Sequence, residues 1–180
     1  MSNRNRSAFT LIELLIVIAI MAILIGLLLS GIGAAYRMVR KTKANTEVKS
    51  IASALEFYYS EYHKWPPGLG INPEANAVEI KGDIATILQG ENSIPGLQSN
   101  PKKIQFVQFK TFLDGNPTNQ PINPWWTSGT TNDCAYYLKV DNNFDNVIDK
   151  GTPLPTVVWR HRVLVWTMNY DNGQYILSSD

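Results

Sequence analysis

The chain has a single cysteine, Cys134, so it cannot close an internal disulfide, and packing or some other device must hold its C-terminal half. Only two histidines occur, His63 and His161, and neither sits at a spacing that makes a nucleophile pair or a metal centre. There is no glycine-rich phosphate loop, no Ser-His-Asp set, and no pair of carboxylates to which acid and base roles can be assigned. An enzyme is therefore not expected. An excess of one charge is also missing: 16 Lys and Arg oppose 15 Asp and Glu, for a net charge of +1. The overall balance gives no argument for a nucleic-acid partner. Proline is absent before Pro66, which leaves room for a long uninterrupted helix. At 180 residues the chain is long enough for one modest domain and an appendage.

What is present is concentrated near the start. A short basic leader with Arg4 and Arg6 precedes an apolar run, and one carboxylate, Glu13, lies near the start of that run. From Leu14 to Leu29 no residue is charged, and small, apolar or hydroxyl residues continue to Ala35. About 20 such residues span a bilayer core as a helix. A charge buried in lipid costs roughly 2.5–3.5 kcal/mol, so Glu13 needs a reason. Three readings compete. A secretory signal peptide fits the charged start and the small residues Gly31-Ile32-Gly33-Ala34, but not the carboxylate or the length. A plain membrane anchor fits the run and leaves Glu13 as a residue snorkelling at the membrane edge. The third reading is a cut between Ala8 and Phe9, which would give Phe9 a new ammonium one helical turn from Glu13.

The residues Ala8-Phe9-Thr10-Leu11-Ile12-Glu13, behind Arg4 and Arg6, resemble the start of type IV pilins and type II secretion pseudopilins. The resemblance runs through the apolar segment to about Ile32 and reappears in the Trp65-Pro66-Pro67 stop. It implies cleavage between Ala8 and Phe9 by a prepilin peptidase and methylation of the new Phe9 amino terminus. It also implies a pairing of Glu13 with a neighbouring subunit's terminus during helical self-assembly. Ala8 departs from the usual glycine, which implies slower processing. Many relatives carry a proline inside the apolar half, where this chain has Ser30. Removal of the two leader arginines leaves 14 basic and 15 acidic residues, a net charge of −1.

Beyond Ala35 the pattern turns amphipathic. Tyr36, Val39, Thr46, Val48, Ile51, Leu55, Tyr58, Tyr59 and Tyr62 recur at roughly helical spacing. The pattern predicts one helix from Phe9 to about His63, ended by Pro66 and Pro67. The cluster Arg37, Arg40, Lys41 and Lys43 reads as a solvated face touching headgroups or neighbours. The expected organisation is a leader over 1–8, a helix over 9–65 with 9–35 in the membrane or filament core, and a head over 66–180. The head divides into a variable loop region over 68–132 and a C-terminal sheet over 134–178. Within it, a short helix is expected at Asp83–Gln89, closed by Gly90. Strands are expected at Ile104–Phe109, Ala135–Val140, Thr156–Thr167 and Gln174–Leu177. Trp125 and Trp126 read as rings packed under a loop, and Arg160-His161-Arg162 as a solvated strand segment. The fold class is α+β: a long N-terminal helix packed on a small C-terminal antiparallel sheet.

Between two of these strands, Asp141, Asn143, Asp145, the Val147 carbonyl and Asp149 place oxygen donors at alternate positions. A calcium loop uses that spacing, with carboxylates or amides at positions one, three and five and a carbonyl at seven. Asn146 stands where glycine is usual, and Thr152 stands where a bidentate glutamate would be. The alternative is an Asx-rich connection whose side chains satisfy their own backbone. Resemblance to the calcium-stabilised major pseudopilins favours Ca2+. It also implies the partners: copies of the same chain, the peptidase, an inner-membrane platform with its ATPase, minor pseudopilins and membrane lipid. The implied location is a bacterial inner membrane, crossed once, with the head outside the cytoplasm. An adhesive or DNA-uptake pilin and a membrane-anchored binding protein that forms no filament are the alternatives.

Overall fold

A computed structural model describes residues 10–70, 73, 76–90, 99–109, 120–126, 135–148 and 160–179. The processing residues Ala8 and Phe9, and also Asp149, Thr152 and Cys134, lie outside them. The chain divides into two compact units between Val39 and Arg40.

The absence of proline is realised as one helix, α1, over Leu11–Tyr62. Every residue from Leu11 to Leu29 is exposed, and this portion is long and apolar enough to cross a membrane. The backbone leaves the helix at His63, which takes a positive φ of 51° while its amide still donates to the Tyr59 carbonyl at 2.8 Å.

In the second unit, Ala44, Val48, Ile51, Leu55 and Tyr58 are buried. Their spacings of three and four place them on one stripe. Tyr36, Val39 and Thr46 were expected on the same apolar face but are exposed. Thr46 falls off the stripe, and Tyr36 and Val39 precede its first buried residue.

The stripe packs on a four-stranded antiparallel sheet in the order β1-β2-β3-β4: Val78–Glu79, Tyr137–Val140, Val163–Asn169 and Gln174–Leu177. Register places Leu138 opposite Val165, Val140 opposite Val163, and Thr167 opposite Ile176. Leu138, Val140, Val163, Val165 and Ile176 join the helix stripe in the main core. Alternate residues point to the other face. There Leu164, Trp166, Leu177 and Ile148 form a second cluster, with Tyr137 and Tyr175 against it. Both faces are thus apolar, which is why Val163 to Trp166 reads as a continuous apolar run. Each fully buried side chain of this kind contributes about 1.5–3 kcal/mol.

The short helix α2 covers Asp83–Leu88 and buries Ile84, Ile87 and Leu88. Gly90 follows it at φ 95°, where a Cβ would meet the Lys103 carbonyl at 3.1 Å. Glycine is required there by both its conformation and the close approach.

Two expectations are corrected, and one strand was not anticipated. Ile104–Phe109 is not a strand. The Phe106 and Val107 amides both donate to the Leu88 carbonyl, at 2.9 and 3.1 Å, so the segment closes the end of α2 instead of joining a sheet. Buried Asn100 fixes its start, donating to the Ile104 carbonyl at 2.8 Å and accepting from the Ile104 amide at 3.0 Å. The third long strand begins at Val163 and runs to Asn169, later than Thr156–Thr167; His161 and its flanking arginines precede it and are exposed. Finally, the two-residue strand Val78–Glu79 carries too few residues to show a period.

Candidate functional site

The segment around Glu13 is built as a helix start. The Thr10 amide and hydroxyl both donate to Glu13 Oε2 at 2.8 Å, and the Glu13 amide donates to Thr10 Oγ1 at 3.3 Å. This is a capping box, the reciprocal closure of donors that a first helical turn leaves open. The signal was present in the sequence as Thr10-Leu11-Ile12-Glu13, a Thr followed three residues later by Glu ahead of an apolar run. It gives the carboxylate a local purpose that the plain-anchor reading lacked, so Glu13 alone does not discriminate between anchor and filament subunit. Its second oxygen, Oε1, makes no hydrogen bond in the cap.

Asp141, Asn143 and Asp145 are brought together in one tight loop after β2. Buried Asp141 accepts the Phe144 amide at 2.6 Å and the Asn146 amide at 2.8 Å. Asn143 accepts the Asp145 amide at 3.0 Å, and Asp145 accepts the Val147 amide at 2.8 Å. Phe144 and Asn146 take positive φ of 63° and 61°. Asparagine tolerates this region better than most residues, which suits it to the position where glycine is usual. The side chains thus organise their own backbone. Carboxylate oxygens have more than one lone pair each, so acceptor capacity remains for a hard cation. Among the described residues no group of three or more His, Cys, Asp or Glu gathers at one point, and Asp149 lies outside them. Asp171 is engaged elsewhere, receiving the indole N–H of buried Trp125 at 2.9 Å.

The loop is fastened to the end of α1 by aromatic contacts. The Trp65 indole donates to the Asp141 carbonyl at 3.2 Å. Tyr59 lies 4.7 Å from Trp65 and 5.8 Å from Phe144, centroid to centroid. The Arg162 guanidinium sits 5.9 Å over the Tyr59 ring and donates to Asn146 Oδ1 at 3.3 Å.

A cavity of about 500 Å³ lies between α1 and the Phe106–Phe109 segment, with Ile51, Phe106, Val107 and Ile122 in its walls. At its polar end the Tyr136 hydroxyl donates to Glu47, which also faces Lys43 at 3.8 Å. Burial and then the Glu47 carboxylate push the Tyr136 hydroxyl far above the usual tyrosine range. Sequence reading missed this pair because its members are distant in the chain and neither residue belongs to a motif.

Residues 3–29 match the family of the prokaryotic N-terminal methylation motif. No curated protein and no solved structure matches the chain. The motif, with the α+β arrangement of one long N-terminal helix and a small antiparallel sheet, supports a place among type IV pilin-like chains in general. That architecture is structural, not catalytic.

Proposed function

We propose that this chain is the subunit of a pilin-like filament, nearest in kind to the major pseudopilin of a type II secretion system. The observation that carries the reading is the methylation motif over residues 3–29, with Glu13 at the head of an exposed apolar helix. In this reading a prepilin peptidase cuts between Ala8 and Phe9 and methylates the Phe9 amine. The subunit waits in the inner membrane with its apolar helix in lipid and its head outside the cytoplasm. A membrane platform and its ATPase then move it into a helical array of copies topped by minor subunits. Helix–helix contact replaces contact with lipid. Pairing of Glu13 with a neighbour's Phe9 ammonium sets register, since two desolvated and unpaired charges are costly.

The acidic loop is the proposed calcium site, held by Asp141, Asn143, Asp145, the Val147 carbonyl and Asp149. A bound ion would cross-brace a head that has no disulfide. Asp141, Asn143 and Asp145 share one turn whose backbone their side chains order, which supports the reading.

N-terminal mass spectrometry of the mature protein tests the processing. A methylated Phe9 start is the expected result, and an intact Ala8–Phe9 bond overturns the proposal. Loss of secretion, without loss of surface fibres, on deletion of the gene is the outcome that favours a secretion pseudopilus over a surface pilus.

A further inference from the structure

The cavity of about 500 Å³ beside α1 is apolar along its walls and acidic at one end. Buried Ile51 and Ile122, with Phe106, Val107 and Phe109, supply the walls. Glu47, Tyr136, Lys43 and Thr46 supply the polar end. We propose that this cavity is a binding site for a small amphipathic amine, an ammonium group carried on an apolar body. The site is independent of the filament reading, because all its residues belong to the second unit, from Arg40 onward.

Hydrogen bonding decides the charge of the head group. Tyr136 is 2% exposed and spends its one hydroxyl proton on Glu47 Oε2. Burial and that carboxylate keep the proton in place far above the usual tyrosine range. The Thr46 hydroxyl spends its proton on the Thr42 carbonyl at 3.0 Å. Both oxygens therefore offer the cavity lone pairs only. Glu47 Oε1 accepts no hydrogen bond among the described residues. Lys43 Nζ stands 3.8 Å from it, beyond hydrogen-bond reach, and Lys before Glu is the less favourable order for such a helical pair. The Lys43 side chain is 46% exposed against 28% for Glu47, so the anion is the more withdrawn from water. A head that donates several hydrogen bonds and carries positive charge satisfies these acceptors. A carboxylate head meets Glu47 and finds one solvated donor. The volume is that of a small-molecule site, and the walls suit a ring or a short alkyl chain.

The test uses the full chain in detergent micelles and probes that share one body and differ in the head: para-fluorophenylbutylamine, the matching alcohol and the matching carboxylate. Line broadening in fluorine NMR, less that in empty micelles, reports binding. The amine is expected to bind with a Kd of about 1 mM, ordinary for a ligand of about twelve non-hydrogen atoms. The alcohol and the carboxylate should bind at least about tenfold more weakly. Glu47→Gln keeps an acceptor for the Tyr136 hydroxyl but removes the charge, so it should weaken the amine by about tenfold and leave the alcohol unchanged. Lys43→Gln removes a competing cation and should tighten the amine by about threefold, the scale of an exposed ion pair. Ser50→Trp places a ring in the cavity from an exposed helix position and should abolish amine binding. Equal affinity for the three heads, or amine binding untouched by Glu47→Gln, overturns the assignment in favour of a plain apolar cavity. Amine binding that appears only when residues 110–119 are replaced by a glycine-serine chain means that the protein fills the cavity itself, and overturns the assignment as well. No broadening up to ~10 mM overturns it altogether.

Discussion

The Thr10 hydroxyl donates to the Glu13 carboxylate at 2.8 Å while accepting the Glu13 amide at 3.3 Å. The same carboxylate therefore has two possible employments: closing its own helix and meeting a neighbour's amino terminus. Glutamine separates them. It completes a capping box as glutamate does but carries no charge. Glu13→Gln is expected to leave membrane insertion intact and to lower the yield of sheared, pelleted filaments by at least about tenfold, equivalent to 1.4 kcal/mol per subunit contact. Filaments formed at the normal yield would reduce Glu13 to a cap. Thr10→Ala should cost about 1 kcal/mol at the helix start, and Thr10→Ser should restore it.

Asn100 is the second test. Its side chain is fully buried and spans three elements, donating to the Ile87 carbonyl at 3.0 Å and the Ile104 carbonyl at 2.8 Å. Its Oδ1 accepts the Ile104 amide at 3.0 Å and the Tyr62 hydroxyl at 2.6 Å. Asn100→Ala strands several buried groups and is expected to destabilise the head by about 3 kcal/mol or more in urea titrations. Asn100→Asp should cost a similar amount, because a carboxylate cannot donate to the two carbonyls. A loss below about 1 kcal/mol in either variant would show that the segment after Asn100 is held by other means.

The same residue explains where sequence reading ended. The alternation over Ile104–Phe109 predicts a strand, and an extended segment fastened to a helix end presents the same period. Only the side chain of Asn100 and the carbonyl of Leu88 decide between them, and neither contributes to the pattern. The long helix was legible because nothing from Leu11 to Tyr62 breaks it, and Gln174–Leu177 because the Asn169-Tyr170-Asp171-Asn172-Gly173 turn marks its start. The Thr10–Glu13 cap was legible in principle but hidden behind a stronger motif. The grouping of Tyr59, Trp65, Phe144 and Arg162 was not legible, since its members come from three separate parts of the chain.

Two buried tyrosines predict an alkaline weakness. Burial, and then the neighbouring Tyr62, push the Tyr58 hydroxyl up to about 12, and the Tyr136 hydroxyl is pushed further by burial and Glu47. The folded head keeps these protons to higher pH than the unfolded chain does. Stability should therefore be undiminished below about pH 10, the ordinary tyrosine range, and fall as pH rises through about 12 for Tyr58. Thermal melts between those values should show the fall. Tyr58→Phe loses a donor to the Ser99 carbonyl at 2.5 Å and should cost about 1 kcal/mol at neutral pH. In return its stability should decline less steeply with alkali. An unchanged slope in both Tyr58→Phe and Tyr136→Phe would place the alkaline sensitivity elsewhere.

Asp141 and Asp145 share the acidic loop but should behave differently. Asp141 is 1% exposed and holds the Phe144 and Asn146 amides with its two oxygens. Removing it leaves both donors without their acceptor, so Asp141→Ala is expected to cost about 2 kcal/mol, lowering Tm by roughly 4–8 °C whether or not calcium is present. Trp65 reports the same event, because its indole donates to the Asp141 carbonyl at 3.2 Å and its fluorescence should move to longer wavelength as the loop opens. Asp145 is exposed, and in Asp145→Asn the amide oxygen can still accept the Val147 N–H, so its stability without calcium should stay within about 0.5 kcal/mol of the parent. What it loses is one carboxylate facing the proposed ion. Calcium should therefore raise the Tm of the parent protein, a chelator should reverse that rise, and Asp145→Asn should respond to neither. A parent protein whose melting is indifferent to both additions would leave the loop as a self-satisfied connection, held by Asp141 alone.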